Sequence, residues 1–132
     1  ACTILVSFSA YNQSIDTLER KLNSGRLSLS DSLETLNLLS RNYNYIDLNK
    51  SLYFAQELLK KSLKNNDKKG EAYAYRNLAS IYSSKGNHFI GLEFVNRSLD
   101  LFKANADSIG VANCYITFGH IYRRLKNVKI EL

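Results

Sequence analysis

Proline, methionine and tryptophan are absent from this 132-residue chain, and cysteine and histidine occur twice each. With no proline and only six glycines, no Gly-, Ser- or Pro-rich linker divides it. A chain without methionine has lost its initiator, which points to a processed product or a fragment. Cys2 and Cys114 lack CxxC spacing and a nearby histidine, so no metal site is implied, and two cysteines leave disulfide bonding open. His88 and His120 stand a helix apart, with no carboxylate at a metal-ligand spacing. There is no phosphate-cradling glycine loop and no nucleophile elbow. Alternating β-rich runs are missing, as is any apolar run long enough to span a bilayer. An enzyme and a bound cofactor are therefore not expected, and an all-α fold is.

What is present suits a folded domain: 45% hydrophobic and 23% charged residues, in a length that fits one domain. The net charge of +6 could serve an acidic partner or nucleic acid. Yet Lys60, Lys61, Lys64, Lys68 and Lys69 are interrupted by Asn and Asp and read as a solvated helix face, which disfavours nucleic acid. Residues 1–10 are small or apolar and uncharged, with Ser7-Phe8-Ser9 around a cleavage-like point. Two readings stay open for them. They are the tail of a secretory signal peptide, which would place the domain in the periplasm, or an apolar element packed on the first repeat of a cytoplasmic protein. Ile4-Leu5-Val6 stands where a polar tether would follow a lipid-bearing Cys2.

The strongest signal is internal repetition. Asp67, Gly70, Ala72, Tyr75, Ile81, Tyr82 and Asn87 recur forty positions later as Asp107, Gly110, Ala112, Tyr115, Ile121, Tyr122 and Asn127. A frame of small, aromatic and turn residues repeated in tandem marks one supersecondary unit copied along the chain. Such units bury their apolar faces only by stacking, which builds a solenoid with an extended binding surface. Ile15, Leu18 and Leu22 predict a short helix closed by Asn23-Ser24-Gly25. Asp31-Ser32-Leu33-Glu34 reads as a capping box that opens a helix to about Tyr43. Further helices are expected over about 47–64, 71–84, 88–104 and 109–125. Lys126-Asn127 should end the last of these, and 128–132 should begin another. The domain thus spans 11–132, in pairs at about 31–65, 71–104 and 109–132, the last cut short.

Within the second copy, Tyr75, Leu78, Ala79, Tyr82, Gly86, Gly91, Val95 and Ser98 fall where the tetratricopeptide repeat places its signature residues. The chain from about 31 to 132 resembles that family. Small residues at 79, 91 and 98 would let two helices approach while the tyrosines fill the grooves. The unit is longer than the usual 34 residues and lacks the closing proline. Its Asn-x-Asp-x-x-Gly turn is similar to the long-repeat arrays of bacterial sensor kinases and transcriptional regulators. In the third copy Lys126 replaces the turn glycine, and in the first Asn42 replaces a tyrosine.

The resemblance implies that the first helix of each pair lines a concave groove. It assigns to that groove Asn37, Ser40 and Tyr43, then Tyr73, Arg76, Asn77, Ser80 and Ser84, then Asn113, Thr117, His120, Arg123 and Arg124. Of these, Tyr73, Arg76, Asn77, Ser80, Asn113, Thr117, His120, Arg123 and Arg124 are the candidate partner-binding residues. Asn, Arg and Tyr suit an extended peptide. The positions that grip chaperone C-termini in some members hold Leu36, Ser40, Asn77, Asn113 and Thr117 here, and only Asn77 fits. A non-enzymatic protein- or peptide-binding scaffold is expected, as the sensory part of a larger bacterial signalling protein. The alternatives are a self-associating structural module and, behind it, a nucleic-acid-binding basic face.

Overall fold

The computed structural model describes residues 15–131, with side chains to 128. The apolar segment 1–10, with Cys2, and Leu132 lie outside the described residues, which contain helices and no strand. The protein is all-α. Helix α1 covers residues 15–23. It is followed by α2 (Leu29–Tyr43), α3 (Leu48–Lys64), α4 (Lys68–Ser84), α5 (His88–Ala104) and α6 (Ser108–Glu131). Each helix from α2 onward packs on the next, so α2 with α3 and α4 with α5 form pairs. In addition α2 touches α4 and α4 touches α6, whereas α3 and α5 do not meet. The array therefore curves toward α2, α4 and α6.

Capping explains where the helices begin. Asp67 accepts from the Gly70 amide at 2.7 Å, and Asp107 from the Gly110 amide at 2.9 Å. Asp67 starts its helix at Lys68, three residues before the expected 71, and Asp107 starts its own at Ser108, one residue before the expected 109, because each cap precedes the first apolar residue. The turn before it repeats in backbone and in its first side chain. Asn65 and Asn105 fold their amides back onto the Lys61 and Leu101 carbonyls, at 2.8 and 2.9 Å. Asn66 and Ala106 both take φ of 52°. At the start of α2 the expected cap is corrected: Ser28 accepts from the Asp31 amide at 3.1 Å. Asp31 thus lies in the first turn, where its charge favours the dipole.

Small residues set the helix crossings. A Cβ on Gly91 would stand 2.9 Å from the Ala79 carbonyl oxygen. Ser98 donates to the Ala72 carbonyl at 2.6 Å. Ser51, forty positions before Gly91, donates to the Ser40 carbonyl at 2.6 Å, and Ser40 returns a bond at 3.1 Å. Between these crossings Leu39, Leu58, Ile81, Val95 and Phe102 are fully or almost fully buried. Each such side chain contributes on the order of 1.5–3 kcal/mol. Cys114 is buried beside Ser98, to which its thiol donates at 3.4 Å, and burial pushes that thiol up from its ordinary value.

One expected boundary is absent. α6 runs straight through Lys126-Asn127 to Glu131. In the preceding copy Gly86 leaves the helix at a φ of 91°. A lysine there would carry the Cβ penalty of left-handed backbone, so the helix continues.

Candidate functional site

The curvature brings three helices to one groove of about 530 Å³. Eight of the nine candidate residues line it: Arg76, Asn77 and Ser80 from α4, and Asn113, Thr117, His120, Arg123 and Arg124 from α6. Positions three and four apart on one helix share a face, which is why two short stripes supply the set. Tyr73 stands apart. It lines a neighbouring cavity of about 400 Å³ that shares Arg41, Arg76 and Asn113 with the groove. Its ring is held edge-on by Phe102 at 5.3 Å.

Several residues assigned to an exposed groove are buried instead. Asn77 donates to Asn37 Oδ1 at 2.8 Å, and both are buried. The forty-residue frame places these two asparagines on adjacent first helices, where one amide satisfies the other. Ser40 is enclosed by its exchange with Ser51. Tyr43 lies in the first core cluster, stacked on Phe54 at 5.7 Å, and its hydroxyl donates to Glu19 of α1. Ser84 is exposed but lines a separate surface hollow beside Gly86 and His88.

The groove is also built from residues that the repeat signature does not mark. Arg41 follows Asn37 by one turn of α2, a spacing that places it on the same stripe. Asn42 comes from the last turn of α2, and Asn44 and Tyr45 enter from the α2–α3 connection, which the sequence marks only as a helix break. Asn44 Oδ1 is buried without a hydrogen-bond partner.

The charges are one-sided. Arg41, Arg76, Arg123 and Arg124 line the groove together with His120, and among the described residues no Asp or Glu does. Arg124 donates to Ser83 Oγ at 3.1 Å, and Ser83 in turn bonds His88 Nδ1 at 3.0 Å. Thr117 is satisfied by its own helix, donating to the Asn113 carbonyl at 3.0 Å. Arg76 is the exception. It is 8% exposed, and its guanidinium lies over the Tyr73 ring at 5.6 Å, with no hydrogen bond or ion pair among the described residues. Burial, and next the like charge of Arg41, lower its pKa from the ordinary arginine value.

Among the described residues no group of three or more His, Cys, Asp or Glu could hold a metal ion. No described helix is long and apolar enough to cross a membrane. No family model matches the chain, and no curated protein or solved structure does.

Proposed function

We propose that this chain is a non-enzymatic scaffold of tetratricopeptide type that holds a protein partner, through an extended peptide segment, in the groove of α2, α4 and α6. One observation carries the proposal: polar candidates from α4 and α6 line a single open groove on the inner side of the curve. Asparagine and arginine side chains bond peptide amides and carbonyls without demanding one sequence. The likeness of the long repeat to bacterial sensor arrays extends the proposal to the interaction region of a larger signalling protein.

The test is selection from a displayed library of random peptides. Enrichment on the wild type should be lost with His120→Ser combined with Arg123→Ser. Both residues are exposed, so melting should change little. Self-association is the second reading, favoured by the exposed Tyr115, Ile116, Tyr122 and Val128 along α6. No enrichment, together with concentration-dependent dimers in sedimentation, would put it in first place.

A further inference from the structure

We propose that Arg76 is a buried receptor for one carboxylate of an acidic, extended peptide lying in this groove. The inference rests on the groove being a peptide site and adds the chemistry of what it selects. A cation taken out of water is costly unless it is paired. Arg76 is 8% exposed, and its guanidinium lies over the Tyr73 ring at 5.6 Å with no ion pair among the described residues. The neighbouring charge that acts on it, Arg41, has the same sign. Glu34 and Asp67 line the adjoining cavity but form no ion pair with it, and Asp67 is committed to capping Gly70. The chain therefore supplies no described counter-ion to a site that opens onto two cavities. An anion from outside completes it. A guanidinium presents two parallel donors that match a carboxylate, so recognition is directional as well as electrostatic.

A peptide fits these surroundings better than a nucleic acid. Ile116, 59% exposed, supplies apolar contact, and the unpartnered Asn44 Oδ1 is an acceptor for a backbone N–H. Single-stranded nucleic acid is held by stacking on aromatic rings, and among the described residues Tyr45 is the one Phe, Tyr or Trp lining the groove. Lys60 and Lys64 belong to α3, outside the groove lining.

The experiment compares labelled (Ala-Glu)4 and (Ala-Gln)4 peptides at about 0.15 M salt, where charges across an exposed surface are largely screened. The glutamate peptide should bind the wild type at least roughly tenfold tighter, a ratio in the range of one charge-assisted bond. Arg76→Met should bring that ratio close to one with helicity unchanged. Arg76→Lys keeps the charge without the fork and should give an intermediate ratio. Lys60→Gln with Lys64→Gln should leave the ratio as it was. A ratio unchanged in Arg76→Met, or lost in the lysine variant, overturns the receptor, as does a dT8 oligonucleotide that displaces the glutamate peptide more strongly than unlabelled peptide does. Equal binding of both peptides, with amide shifts at Asn113 and Thr117, overturns the receptor and leaves the peptide groove standing. No shift from either peptide overturns both.

Discussion

Helices α4 and α6 carry the same aromatic frame and meet different fates. On α4, Tyr75 and Tyr82 stack on Phe94 of α5 at 5.9 and 5.5 Å, and Arg97 sits 5.8 Å above the Tyr75 ring. On α6, Tyr115 and Tyr122 lie either side of Phe118 and are 55% and 56% exposed. The same contrast appears in the small residues. Ala79 is pressed against Gly91, whereas the corresponding Gly119 has nothing within 4 Å of where a Cβ would stand. Equal sequence gives equal local structure, but the energy of a residue depends on whether another helix covers it. The other end of the array is closed, because α1 places Ile15 and Leu18 in the core cluster of α2 and α3.

Overpacking the covered crossing should give the largest effect. Gly91→Leu has no room beside the Ala79 carbonyl and should cost about 3 kcal/mol in denaturant unfolding. A change below about 1 kcal/mol would mean that α5 does not seat on α4 as described. The tyrosines sharpen the same contrast. Tyr82→Ala should cost about 2 kcal/mol by removing a stacked, half-buried ring, and Tyr122→Ala well under half of that. Equal losses at the two positions would show that α6 is covered in solution.

Gly119→Ala should raise stability by about 0.5–1 kcal/mol, since an open helical glycine gains from a methyl group. A loss instead would place a neighbour against α6. Between the two helices, Arg76→Met exchanges an unpaired buried cation for an apolar chain of similar shape. Its melting temperature should be equal to or above that of the wild type. A fall of several degrees would assign Arg76 to the fold itself.

The smallest effect probes the closed end and depends on pH. Burial first, and then its bond to Glu19, raise the pKa of Tyr43 in the folded state. Its protonated form therefore stabilises the fold fully below the unfolded tyrosine value of about 10, and that contribution is lost as pH rises above it. Melting of the wild type should fall more steeply above about pH 10 than melting of Tyr43→Phe. Parallel curves would detach α1 from Tyr43.

Much of the groove follows from local spacing. Asn113, Thr117, His120 and Arg124 recur at three or four positions, so one face of α6 holds them wherever the helix packs. What spacing cannot tell is whether a neighbouring helix takes up a polar group. Asn77 reads as a groove donor in one dimension and is a buried partner of Asn37 in three. Asn44 and Tyr45 join the groove only because the curve brings the α2–α3 connection toward α6.

The sequence by itself determined the helices and the forty-residue frame, because periodicity and left-handed turn positions act over a few neighbouring residues. It did not determine where the last helix ends: Lys126-Asn127 reads as a stop, and α6 continues through it because a lysine replaces the turn glycine. Only the tertiary structure decided burial. Tyr82 and Tyr122 have the same place in the repeat and differ in cover, and Arg76 became an interior cation with no ion pair among the described residues through the packing of three helices that no short window contains. Burial is a sum over contacts from distant parts of the chain, and it sets the free energy of each side chain.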